Sequence, residues 1–123
     1  MKDYYTLLVD LAQERILFEE LLDKQCRRRH NRAITKIVKL WKELAQNDVD
    51  CDKLFSRLLA HENMRVVVLA ADICYRINDY KPISVKVLEM ARDQVLRIYN
   101  CPTADTEDHM LAYTTKTEYI DNM

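Results

Sequence analysis

Between residues 24 and 46, eight cations (Lys24, Arg27, Arg28, Arg29, Arg32, Lys36, Lys39 and Lys42) stand against one acid, Glu43. On a helix, Arg28, Arg32, Lys36 and Lys39 fall on one face with Arg29 beside them. Arginine forks hold phosphates and carboxylates through paired hydrogen bonds. Such a ridge could take a nucleic-acid backbone or an acidic patch on a protein. No exposed aromatics are interleaved with it, which counts against stacking of single-stranded bases. The plainest alternative is a solvated face balanced by Glu14, Glu19 and Glu20. A second cluster lies near the C-terminus, where Asp105, Glu107, Asp108, Glu118 and Asp121 are interspersed with Tyr113 and Tyr119. Acids beside tyrosines suit capture of a basic protein, because tyrosine offers rigid contact area. The alternative there is a terminus that packs Met110 and Leu111 on the preceding helix.

Other chemistry is thinly supplied. Cys26 and His30 are four residues apart and could place two ligands on one metal, yet a core-edge histidine beside a thiol explains the spacing as simply. His61 reads as a turn residue. His109, near Asp105, Glu107 and Asp108, could titrate upward beside those carboxylates. Three scattered histidines assemble no Ser/His/Asp or Cys/His arrangement, so no enzymatic activity, no metal and no cofactor are expected. The chain has no glycine at all and only two prolines. A phosphate-cradling loop, a dinucleotide fingerprint or a nucleophile elbow therefore cannot occur in recognisable form.

At 123 residues, with 49% apolar and 32% charged residues, the composition fits one folded domain. The formal charge of −1 conceals segregation. A strongly basic segment lies between a net acidic N-terminal stretch (1–23) and a net acidic tail (101–123). No apolar run approaches the roughly 18 residues a membrane span needs. The opening MKDYYTLLVDLAQER carries acids early and has no small-residue cleavage site. A cytoplasmic protein is expected, with Cys26, Cys51, Cys74 and Cys101 as reduced small hydrophobes.

Without glycine, what is easily built is a set of helices joined by short polar turns. Tyr4, Leu8, Leu11, Phe18 and Leu22, widened by Leu7 and Leu21, predict a helix over 3–23. Arg15 interrupts that stripe and would lay its stem along the core edge. A second helix over 25–46 carries Ile34, Ile37, Val38, Trp41, Leu44 and Ala45 inward. A turn near Asp23–Lys24, making these two antiparallel, is preferred to one long helix. Asp50 should cap a short helix over 51–60 that buries Leu54, Phe55, Leu58 and Leu59. Asn63 should cap a helix over 64–77 that is apolar nearly all round and therefore central. Pro82 is placed in the first turn of a fifth helix, which runs to about Asn100 and buries Ile83, Val87, Ala91, Val95 and Ile98. Pro102 ends it, and the tail holds one short helix.

The stretch LFSRLLAHENMRVVVLAADICYRI, within 51–77, resembles a HEAT-type repeat. It has paired helices around a polar turn, then a valine followed four residues later by Ala-Ala. With the preceding helices it is similar to a small bacterial family of unknown function built from HEAT-like helices, whose turn reads roughly His-Pro-Asn-Pro-x-Val-Arg. His61, Asn63, Val66, Ala70 and Ala71 match, whereas Glu62, Met64 and Val67 depart. The last departure removes an arginine that usually links neighbouring repeats. The resemblance covers about 4–100 and implies an all-α, single-domain HEAT-like stack of five to six antiparallel helices. By analogy it also looks like the immunity proteins that bind and block a cognate bacterial toxin domain. The expected function is thus non-catalytic protein binding, through Arg28, Arg29, Arg32, Lys36 and Lys39 or through Glu107, Asp108, Tyr113 and Tyr119. The alternative is a nucleic-acid-binding regulator that uses the basic second helix.

Overall fold

The computed structural model describes residues 3–14 and 24–121, without the side chains of 24–27, 29 and 30. Among the described residues every regular element is a helix. Six α-helices follow one another: α1 (Tyr4–Glu14), α2 (Lys24–Gln46), α3 (Cys51–Leu59), α4 (Met64–Asn78), α5 (Val85–Tyr99) and α6 (Thr106–Thr115). A single π-helical turn, Lys116–Ile120, extends α6. The expected continuation of the first helix over 15–23, with Arg15, Phe18, Leu21 and Leu22, lies outside the described residues. So does the turn at Asp23. Even so, α1 and α2 pack on each other, which one straight helix could not do.

Helix α4 is the hub. Its run of Val, Leu, Ala and Ile leaves eleven of fifteen residues buried, and each of the other five α-helices packs on it. A helix apolar around its circumference is stable only when covered on several sides. Phe55 and Leu58 from α3, Leu8 and Ala12 from α1, Leu44 from α2, and Val95 and Ile98 from α5 complete the core.

Side-chain caps do the work of glycine. Asp50 accepts from the Lys53 amide at 3.1 Å, and Asn63 accepts from the Arg65 amide at 3.0 Å. Ser84 and Asp105 cap α5 and α6 in the same way. At the C-terminal ends no described residue takes a positive φ. The chain instead tightens its last turn. The Ala60 amide donates to the Arg57 carbonyl at 3.3 Å, the Asp79 amide to Arg76 at 3.3 Å and the Cys101 amide to Ile98 at 3.1 Å.

Three local expectations change. Pro82 precedes α5 rather than opening it, because Ser84 takes the cap position. Asn78 and Asp52 hold the approach: the Ile83 amide donates to Asn78 Oδ1 at 3.0 Å and the Ser84 amide to Asp52 Oδ1 at 2.9 Å. Leu7, expected to widen the α1 stripe inward, is exposed. The tail is more ordered than a single short helix, since α6 packs on α4 and α5 and the π turn packs on α5.

Candidate functional site

Helix α2 is rotated relative to the stripe read from its sequence. Its buried line is Ala33, Ile37, Leu40 and Leu44. Ile34 is 43% exposed, and Val38, Trp41 and Ala45 are only half-buried beside it. Apolar residues thus cover a broad arc of α2, and the core takes up half of that arc. The other half lines a groove of about 430 Å³ between α2, α4 and α6. Its α2 wall is Ile34, Val38 and Trp41, and its far wall is Met110, Leu111 and Thr114 of α6. Met110, expected to pack inward, is 45% exposed on the groove rim.

The floor of the groove is polar and held in place. Arg76 Nε donates to Asp72 Oδ2 at 2.9 Å, and the Thr115 hydroxyl donates to Asp72 Oδ1 at 3.2 Å. Arg76 also reaches Glu118 at 3.9 Å. Asp72 and Glu118 hold the Arg76 guanidinium above its ordinary pKa even though burial opposes the charge. This network ties α4 to α6 and to the π turn.

At the C-terminal end of α2 the groove passes Trp41 into a smaller cleft of about 260 Å³ lined by Trp41, Lys42, Ala45, Gln46 and Tyr80. Trp41 and Tyr80 stack at 5.6 Å, and Lys42 Nζ sits 6.0 Å from the indole centroid. Tyr80 is 71% exposed.

The expected basic ridge lies on the outer side of the same helix. Arg28, Arg32, Lys36 and Lys39 are all exposed; the Arg29 side chain lies outside the described residues. Lys36 Nζ stands 3.9 Å from Glu14 Oε2 with both side chains more than half exposed, a pair worth little. Ridge and groove are therefore two faces of one helix.

The acidic tail does not form the surface expected of it. Asp108 is only 2% exposed. Glu107 is turned in toward Arg65 at 3.9 Å with its side chain largely covered. Tyr119 stacks on Tyr75 at 5.4 Å, and burial raises its phenol pKa. Of the four tail residues expected to meet a partner, Tyr113 alone is exposed, and it lies 6.2 Å from the Tyr99 ring. Packing the tail onto α4 and α5 covers Glu107, Asp108 and Tyr119, which looked free in sequence. His109 likewise stacks on Tyr99 at 5.3 Å, and its Nε2 donates to the Tyr99 carbonyl at 2.8 Å.

The other candidates carry less. Cys26 and His30 have side chains outside the described residues. Among the described residues, no three metal-ligating side chains cluster and no helix is long and apolar enough to cross a membrane. Cys51 and Cys74 are buried thiols, with Cys74 pushed up to about 12, chiefly by burial. Sequence reasoning missed the groove. The signal available was the width of the apolar arc on α2, which joins Ala33, Ile37, Leu40 and Leu44 to Ile34, Val38, Trp41 and Ala45. No protein-family model, no curated protein and no solved structure matches the chain.

Proposed function

We propose that this chain is a non-catalytic protein-binding domain whose docking face is carried by α2. One observation supports the reading above the rest: exposed cations and an open apolar groove occupy two faces of the same helix. Charge on a rim sets association rate and register, while apolar contacts carry affinity. A partner for this face would be acidic around an apolar centre. The sharpest form of the proposal is a cytoplasmic immunity protein that covers a cognate bacterial toxin domain. Its mechanism would be steric, with the toxin's active site occluded once α2 is seated. The HEAT-like resemblance of 51–77 supports this form by analogy, and the packing of α3 on α4 around His61–Asn63 is compatible with it.

A second reading has its own support. Arg28, Arg32, Lys36 and Lys39 form an exposed basic face, with Glu14 3.9 Å from Lys36, and such a face suits phosphate contacts by a nucleic-acid-binding regulator. One experiment separates the two. The tagged chain and an Arg28→Glu/Arg32→Glu variant are used to capture material before and after nuclease treatment. Protein binding predicts a stoichiometric protein that survives nuclease and is depleted by the variant. Nucleic acid that is lost with the variant, with no protein recovered, overturns the proposal. The immunity form predicts that a toxin domain is encoded beside this chain, arrests growth alone and loses that effect on co-expression.

A further inference from the structure

We infer that the cleft at the C-terminal end of α2 takes a proline-bearing segment of the partner in polyproline II conformation, with an acidic residue beside the proline. This rests on the protein-binding reading above and specifies what the partner brings to that end of the helix.

The cleft is small and its walls are fixed. Its volume of about 260 Å³ falls below the roughly 300–1,000 Å³ of a site for a drug-sized ligand, and a helix about 10–12 Å across does not enter it. Two aromatic rings form it, Trp41 from α2 and Tyr80 from the turn after α4, stacked at 5.6 Å with planes inclined by 27°. That turn is tied down. The Tyr80 amide donates to the Ile77 carbonyl at 2.9 Å. Lys81 Nζ donates to the Asn47 carbonyl at 3.0 Å and to the Val49 carbonyl at 2.6 Å, just past the end of α2. Both rings are thus in position before a partner arrives, which lowers the ordering cost of binding.

Hydrogen-bonding capacity selects the occupant. The Trp41 indole and the Lys42 ammonium only donate, and Gln46 and Tyr80 each carry a further donor. Among the described residues, no protein acceptor engages any of these side chains. The cleft therefore suits a segment rich in acceptors and poor in N–H groups. A helix keeps its carbonyls in its own ladder, and an ordinary extended chain brings an N–H with every carbonyl. Proline brings a carbonyl without an N–H, and polyproline II leaves that carbonyl free of internal bonds. Aromatic-lined grooves hold proline-rich segments in this way, with the rings in contact. Charge supplies the neighbour. Lys42 is the one charged residue lining the cleft, and its Nζ sits 6.0 Å from the indole centroid. A cation beside the proline is repelled there, whereas Asp or Glu pairs with Lys42.

The chain's one tryptophan reports on this cleft. A display library of random peptides is selected on the intact chain, and enriched peptides that lack tryptophan are synthesised with a label. Trp41 emission then reads the site, and fluorescence anisotropy of the label reads the affinity. Enrichment of proline beside Asp or Glu is expected, with a shift in Trp41 emission that saturates as the peptide binds. Tyr80→Ala and Lys42→Glu should each weaken these peptides by about tenfold or more. Both positions are exposed, and circular dichroism checks that the variants fold. Lys42→Glu should also prefer the same peptides once their acids are replaced by lysine, an exchange that a general loss of structure would not give. No enrichment, binders without proline, unchanged Trp41 emission at saturation, or affinities within about twofold in both variants would overturn the inference. So would an oligonucleotide that shifts Trp41 emission where the peptides do not, since a base would then occupy the cleft. Failure here alongside a protein captured through Arg28 and Arg32 leaves the protein-binding reading standing. Capture of nucleic acid alone removes both.

Discussion

Trp41 and Tyr80 stack with ring centroids 5.6 Å apart and planes inclined by 27°, which joins the last turns of α2 to the turn that follows α4. The pair sits where the groove opens, and it pins the rotation of α2 about its own axis. Which apolar residues of α2 enter the core follows from that rotation. Tyr80→Ala should expose the chain's one tryptophan. Emission should shift to the red and iodide quenching should rise. The stability cost should stay within about 0.5–1.5 kcal/mol, the range for an aromatic pair. An unchanged Trp41 spectrum would mean that the rings do not meet in solution.

The rotation of α2 has a second consequence. Ile37 is 7% exposed and Ile34 is 43% exposed, although the two are three residues apart on one helix. Ile37→Ala should cost about 2–5 kcal/mol through lost burial and a cavity. Ile34→Ala should cost well under about 1 kcal/mol. Urea unfolding of both variants checks the contrast, and equal costs would contradict the register described.

At the turn into α4, the Asn63 side chain accepts from the Arg65 amide at 3.0 Å, and the Asn63 amide donates to His61 Nδ1 at 2.9 Å. Asn63→Ala should lower stability by about 1 kcal/mol, whereas Asn63→Gly should cost only a few tenths. Thermal unfolding followed at 222 nm distinguishes them. Equal losses would place the cost in something other than the cap.

Burial shapes the alkaline limit of the fold. It pushes the Cys74 thiol up from 9.0 to about 12 and the Tyr75 phenol up from 10.0 to about 12. Both groups stay protonated in the folded chain after they have ionised in the unfolded one. Their contribution is full below the unfolded pKa values and is lost as pH rises from about 9 toward 12. The urea midpoint should fall across that window. Cys74→Ala should flatten the fall, although it lowers the midpoint at neutral pH. A variant with the same slope as the parent would remove Cys74 from the account.

Much of the architecture was legible because glycine is missing. Helices need it least, and Asp50 and Asn63 announced their caps by type and position. The all-round apolar run of 64–77 marked the hub for the same physical reason that it is buried. The rotation of α2 was not legible. Its apolar arc admits two lines of burial, Ala33–Ile37–Leu40–Leu44 and Ile34–Val38–Trp41–Ala45, and the packing of α4 and α1, together with the Trp41–Tyr80 stack, chooses between them. Asp108 and Tyr119 were misread because a charged, tyrosine-bearing tail looks solvated in one dimension. Tertiary partners, Tyr75 for Tyr119 and Arg65 for Glu107, took these side chains inward. The start of α5 was placed too early, at Pro82, since Ser84 two residues on is a stronger start signal once it accepts from the Val87 amide.

The account's central claim is that a protein partner seats on α2. A photo-crosslinking residue placed singly at Ile34, at Lys39 and at Glu89 reads it most directly. Glu89 is exposed on α5, which packs on α3, α4 and α6. Crosslinks to the captured protein from Ile34 and Lys39, with none from Glu89, are the result expected. Crosslinks from Glu89 with both α2 positions silent would place the interface on another face and contradict the claim.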